Sequence, residues 1–220
     1  MGKDKQKTYI PALKYHWLTR FYDPLLEWGM QEKKMKLQLV HQASLQSGQQ
    51  VMDLACGTGT LALLLQQSQP GVHVIGLDAD PEVLAIAKEK VKKQPVDPIC
   101  FQEGFSDQLP FSTNRFHHVF TSLFIHHLTL EKKKDTFEEV YRVLKSGGQF
   151  HIVDFEKPQN GLMRAAFLPV QLLDGFETTS PHVKGVILNL LKETGFAAIE
   201  ETRRFSTILG TMRAYRAFKI

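Results

Sequence analysis

Hydrophobic and polar positions change their period several times along this chain, and the changes mark its elements. Residues 50–55 form a short apolar run interrupted by one carboxylate, Asp53, and Cys56-Gly57-Thr58-Gly59 follows. A run of that length bounded by glycines predicts a buried strand entering a turn. Residues 60–67 place Leu61, Leu64 and Leu65 on one helical face. Residues 72–77 are β-branched and apolar, a second strand. Asp80-Pro81-Glu82 then reads as a helix start, with an N-cap acid, Pro at the first helical position and an acid in the first turn. That helix runs to about Lys93, with Val83, Leu84, Ala87 and Val91 on one side. Residues 98–101, 119–122 and 150–154 are three more short strands. Between the last two, residues 131–144 form an amphipathic helix that Ser146-Gly147-Gly148 is expected to stop.

Strand and helix alternating through short links predict right-handed crossovers and a parallel sheet, hence a doubly wound α/β domain. After residue 155 the alternation fails, and residues 156–183 read as irregular, Pro-containing and apolar in patches. A helix at 184–194 and strand-like runs near 199–205 and 212–218 close the chain. Upstream, residues 10–45 read as a helical region, with Met35, Leu39 and Ala43 at helical spacing. No repeat or linker appears. The expected organisation is a helical lid region over 1–45 and a single domain over 46–220, with 160–183 as a substrate-side cover.

Composition narrows the class without changing the fold. The chain has 220 residues, 43% hydrophobic and 23% charged, which excludes a disordered tail, a collagen-like repeat and a coiled-coil rod. A net charge of +4 is mildly basic. The cations are scattered, with clusters at Lys33-Lys34, 88–93 and 132–134 read as solvated helix faces. A nucleic-acid partner is therefore not expected. Cys56 and Cys100 make neither a disulfide framework nor a zinc set and read as small core residues of a reducing compartment. No apolar run of membrane-spanning length occurs, which leaves peripheral membrane contact open. The start lacks the apolar stretch of a signal peptide, and Gln6 stands where a myristoylation signal needs Ser or Thr. A cytoplasmic location is expected; oligomeric state is not indicated.

The glycine turn carries the first chemistry. Glycines between a strand and a helix allow positive φ and let a ligand approach the backbone closely. Free N–H groups at the helix start favour an anionic or carboxylate group. About twenty residues on, Asp78 ends the second strand, where a carboxylate can accept both hydroxyls of a ribose. Gly57-Thr58-Gly59-Thr60-Leu61-Ala62 also fits the dinucleotide fingerprint G-x-G-x-x-G/A. Asp53 argues otherwise: a carboxylate beside the turn repels a pyrophosphate but suits a cofactor with an ammonium and a sulfonium. S-adenosylmethionine (SAM) has both.

The segment 51–59 resembles the first motif of class I SAM-dependent methyltransferases. Leu109-Pro110-Phe111, then residues 120–128, then Val143-Leu144-Lys145-Ser146-Gly147-Gly148 resemble, in order and spacing, the ubiquinone/menaquinone-biosynthesis branch (methyltransferase type 11/25-like). The likeness covers about residues 45–155, with weaker matches at Tyr22-Asp23 and at Glu193-Thr194-Gly195-Phe196. It implies a Rossmann-like, mostly parallel seven-stranded sheet with an antiparallel last strand. It also implies that Asp53, Ala55, Gly57, Thr58 and Gly59 surround the methionine part of SAM and that Asp78 holds the ribose. Ala79 packs on the adenine, Phe105 and Ser106 cap its edge, Ser122 and Leu123 lie beneath the reactive end, and Tyr22 closes over it. Many relatives have Gly-Asp-Ala where this chain has Gly104-Phe105-Ser106, so an acceptor for the adenine amino group is missing. Relatives also often read Phe-Asp where this chain has Phe116-His117.

Methyl transfer from a sulfonium is an in-line displacement, and alignment alone supplies much of its acceleration. A base is needed only where the acceptor must lose a proton. His126, His127 and Asp154 follow strand ends at the ligand edge and are the candidates. Metal-dependent catechol-type enzymes place carboxylates where this chain has Thr121 and Ser122, so no metal is expected. No Pro-Pro or Pro-Cys pair of the DNA-modifying enzymes occurs. The greasy cover at 161–176 then suggests a small apolar or aromatic acceptor, quinol- or lipid-like. The alternatives are a nicotinamide-dependent oxidoreductase and a SAM-binding regulator without catalysis.

Overall fold

The computed structural model describes residues 31–220. Seven strands form one sheet in the order β3-β2-β1-β4-β5-β7-β6. Strand β1 (Gln50–Leu54) lies third from one edge, parallel to β2 (His73–Asp78) on one side and, on the other, to the central β4 (Phe116–Ser122). Beyond β2 runs β3 (Cys100–Glu103), and beyond β4 the long β5 (Leu144–Phe155), both parallel. The hairpin of β6 (Ala197–Thr207) and β7 (Gly210–Phe218) closes the sheet, β7 running antiparallel to both neighbours. The chain leaves β1 toward β2 and β3 on one side and returns to β4 on the other. The carboxyl ends of β1 and β4 therefore open onto the crevice where such sheets take their ligands.

Alternation along β1 builds both halves of the core. Met52 and Leu54 face a layer made by α4 (Leu130–Val143) and α8 (Val186–Thr194), together with Phe137, Val140, Phe150 and Leu190. Val51 faces the opposite layer, α1 (Glu32–Ala43) and α2 (Thr60–Ser68), with Met35, Leu39, Leu61, Leu65 and Phe120. Both faces are covered, which is why the central strands read as continuous apolar runs. The helix read over 81–93 is α3 (Pro81–Lys92), with the Asp80 side chain accepting from the Glu82 N–H at 2.8 Å.

Three readings of the sequence need correction. Residues 156–183 are largely helical: α5 (Gly161–Ala166), α6 (Leu168–Asp174) and α7 (Phe176–Val183). Helices of six to eight residues span about two turns, too few for a period to show, and Pro169 sits in the first turn of α6, where a missing N–H costs nothing. The glycines 147 and 148 do not stop α4, which ends at Val143 and passes directly into β5; they sit inside that strand, bonded to Lys219 of the closing edge. Cys100 is exposed, and only Cys56 is buried. Among the described residues, no helix is long and apolar enough to cross a membrane.

Candidate active site

The turn after β1 is built from backbone that few residues tolerate. Ala55, Gly57 and Gly59 take φ of 56°, 52° and 73°. A Cβ on Gly59 would stand 2.9 Å from the Ala87 Cβ and 3.0 Å from the Phe101 ring, so Gly59 is fixed by the packing of α2 against α3 and β3. Among the described residues, a Cβ on Gly57 would meet nothing within 4 Å. The Thr58 hydroxyl is turned aside and accepts from Lys90 at 2.9 Å, as does that of Thr60.

Asp53 lies beneath this turn and is buried. Its Oδ2 has no hydrogen-bond partner among the described residues. Burial pushes its pKa up to about 7, against the pull of the Lys36 ammonium and the Ala62 N–H. Lys36 reaches this region from α1, its ammonium paired with Glu32. A buried carboxylate oxygen without a donor is costly unless a ligand supplies one.

Asp78, at the end of β2, ties the crevice together. Its Oδ2 accepts the Gly57 N–H at 2.8 Å and its Oδ1 the Asp80 N–H at 3.0 Å, while burial raises its pKa. Ala79 follows, and the Asp78 carbonyl accepts from the Gly104 N–H at 3.0 Å, bringing the 104–106 loop alongside. Phe105 stands at the surface, 36% exposed. Ser106 is turned inward, its hydroxyl bonded to that of Thr136 at 2.8 Å.

The end of β4 forms the opposite wall. After Ser122, Leu123 takes a φ of 56° and donates its N–H to the Val153 carbonyl at 2.9 Å. A one-turn 3-10 helix, Ile125–His127, follows. Asp154 is fully buried inside that turn instead of facing the crevice. Its Oδ2 accepts the N–H groups of Phe124, Ile125 and His126 at 3.0, 2.6 and 3.3 Å, and its Oδ1 accepts His126 Nδ1–H at 2.6 Å. Burial alone would raise the Asp154 pKa, but His126 and these donors hold it well below the usual carboxylate range. Asp154 is therefore the support of the histidine turn, with no oxygen turned to a substrate.

His126 and His127 lie in contact, ring centroids 4.0 Å apart and planes tilted by 40°. From the last residue of α6, Asp174 meets both, at 3.7 Å from His126 Nε2 and 3.7 Å from His127 Nδ1. Burial, reinforced by His126, pushes the His127 pKa down to about 3. Behind them His182 donates Nδ1–H to the Phe155 carbonyl at 2.6 Å, and Lys133 bonds the carbonyls of Leu128 and Thr178. Burial lowers the Lys133 pKa to about 8. Sequence reasoning missed Asp174, Lys133 and His182. Asp174 carried a signal, as the lone acid of the apolar stretch 161–176; Lys133 did not, hidden in a cluster that read as a solvated face. Tyr22 lies outside the described residues.

The family described as a methyltransferase domain matches residues 51–148, the stretch from β1 into β5. An uncharacterized methyltransferase of Synechocystis sp. is 32% identical over 192 residues, 86% of this chain and 87% of that protein. The chain belongs to this methyltransferase family. It is a SAM-dependent enzyme of the class I, Rossmann-like kind. A demethylmenaquinone methyltransferase of Chlorobaculum parvum is 35% identical over 136 residues, and the chain spans about half (51%) of that relative's length. Among solved structures, a phosphoethanolamine N-methyltransferase of Haemonchus contortus in complex with S-adenosylhomocysteine superposes with a TM-score of 0.72 at 18% identity, covering 92% of this chain and 59% of that one. That likeness concerns the fold. The methyltransferase's own residues fit SAM: among the described residues, the orphaned Asp53 oxygen offers a buried negative charge to a cation, and the Gly57 backbone leaves room beside it.

Proposed function

We propose that this methyltransferase transfers the methyl group of SAM to a small apolar or aromatic acceptor of the quinol or lipid-like kind. The single observation that carries the cofactor side is the Oδ2 of buried Asp53, unpartnered among the described residues. An ammonium brought beside it supplies the missing donor and the compensating charge, which a pyrophosphate cannot. In this reading Asp53, Ala55, Gly57, Thr58 and Gly59 line the amino-acid end of SAM. Asp78 accepts the ribose hydroxyls, Ala79, Phe105 and Ser106 border the adenine, and Ser122 and Leu123 support the reacting end, with Tyr22 covering it.

On the acceptor side, His126 and His127 are the groups placed to receive a proton where the acceptor must lose one, His127 the weaker base because burial disfavours its charged form. Asp154 accepts from His126 Nδ1–H and so turns Nε2 away from itself. The cover over this end is apolar, and relatives named for demethylmenaquinone and phytyl-naphthoquinone methylation share the chain's core. A small-molecule acceptor and no nucleic-acid partner follow from the same reading, as does a cytoplasmic location.

The test supplies purified protein with methyl-labelled SAM and a panel of reduced naphthoquinols, phenols, amines and RNA. Label should pass to the quinols or phenols. Transfer only to amines or RNA would contradict the acceptor class.

A further inference from the structure

We propose that His126, His127 and Asp174 together bind a divalent transition-metal ion, with zinc as the reference case, on the acceptor side of the SAM site. The proposal rests on the assignment of that side made above and says what the histidine cluster holds there. Its first support is spacing. Each residue offers one ligating atom within 4.8 Å of the other two. The Asp174 carboxylate faces both rings, with Oδ2 3.7 Å from His126 Nε2 and Oδ1 3.7 Å from His127 Nδ1. Tetrahedral zinc with bonds of about 2.0–2.1 Å sets its ligand atoms about 3.4 Å apart, so drawing the three atoms to that spacing takes side-chain shifts of up to about an ångström.

The second support is independent of spacing. Asp154 takes the Nδ1–H of His126 at 2.6 Å, which points Nε2 to the side toward Asp174. A carboxylate behind a histidine, fixing its tautomer and ring plane, is the usual outer support of a ligating imidazole. Asp154 is itself locked by three backbone N–H groups, so the support is rigid.

Charge agrees. Asp154 and Asp174 bring two negative charges against one ammonium, Lys133, which is already bonded to the carbonyls of Leu128 and Thr178. Two imidazoles and one carboxylate suit zinc and its first-row neighbours and leave coordination positions open, whereas calcium and magnesium favour oxygen sets. With the ion bound, the two ring nitrogens ligate and no longer accept a proton; an open position facing the acceptor would instead stabilise its ionised oxygen or sulfur, the proton passing to solvent. The ligands come from the turn after β4 and from the cover helix α6, so the ion would also tie the cover to the sheet. The sequence expectation of no metal looked for carboxylates at Thr121 and Ser122; this set lies beyond them.

The test uses the full chain stripped with chelator and titrated with zinc by calorimetry and with cobalt(II) by visible absorption. His127→Ala and Asp174→Asn are titrated alongside, with thermal unfolding in metal-free buffer reporting that each folds. Expected are one zinc per chain at micromolar or tighter affinity, tetrahedral cobalt bands, and at least tenfold weaker binding in each variant. No saturable zinc binding by the folded parent would overturn the proposal. So would parental affinity in both folded variants, or a cobalt spectrum with a thiolate charge-transfer band. A chain that methylates quinols without binding zinc loses this proposal alone; one that binds zinc here but methylates no quinol or phenol loses only the acceptor assignment.

Discussion

Asp53 is a carboxylate the fold buries without fully satisfying, and its burial makes cofactor binding pH-dependent. Its folded pKa of about 7 lies above the ordinary 3.8, so folding favours the neutral form. That contribution to stability is fully present below pH 4 and is lost as pH rises through 7. In the proposed reading SAM pairs with the ionised form, so below pH 7 binding would expel a proton. Affinity for SAM should tighten by up to about tenfold per pH unit toward pH 7 and level off above it. Asp53→Asn should bind SAM weakly with no such slope, and its ligand-free thermal midpoint should fall less than the parent's between pH 5 and 8. Calorimetry and thermal scans at several pH values check both; an equal slope in the variant would place the titrating group elsewhere.

Asp78 adds a second prediction at this scale. Charge-assisted hydrogen bonds to a ribose are worth about 1.5–3 kcal/mol each. Asp78→Ala should therefore weaken SAM at least tenfold, read by calorimetry. The same carboxylate holds the Gly57 and Asp80 N–H groups, so the variant should also melt lower, a cost that the residue's strand-end position alone did not reveal.

Among elements, the 3-10 turn and the cover behave differently. Five donors converge on Asp154, and removing a buried charge partner of this kind costs about 3–5 kcal/mol. Asp154→Ala should show that loss in urea unfolding, with Asp154→Asn recovering part of it. In the cover, Phe167 is buried against the Phe155 ring with centroids 4.8 Å apart, while Leu172 is 73% exposed. Phe167→Ala should cost about 3–5 kcal/mol of stability. Leu172→Ala should change stability by less than about 0.5 kcal/mol and raise the acceptor KM. The stretch 161–176 was legible as apolar but not as helices, because each helix is too short for a 3.6-residue period to show. Its one acid, Asp174, gains meaning only through the fold, which sets it against two histidines about fifty residues earlier.

For the whole molecule, the alternation of strands and helices from 50 to 155 was readable because each central strand is buried on both faces and each link is short. The closing hairpin was readable too, with its ends displaced by one or two residues where solvent takes one face. Partnership was not readable: Lys36 near Asp53 and Lys133 behind the histidines are cations that the fold buries, and no local pattern separates them from solvated neighbours. The proposed SAM half of the site centres on the contiguous turn 53–59, which is why the sequence alone could nominate it. The proposed acceptor half draws on a turn, a strand end and a helix distant in sequence.

The most direct measurement of this account is product analysis after mixing the full chain with methyl-labelled SAM and a reduced naphthoquinol bearing one free ring position. S-adenosylhomocysteine and a singly methylated quinol should form in equal amounts, and Asp53→Asn should slow both at subsaturating SAM. S-adenosylhomocysteine formed with a polar amine but never with the quinol, or quinol methylation indifferent to Asp53, would contradict it.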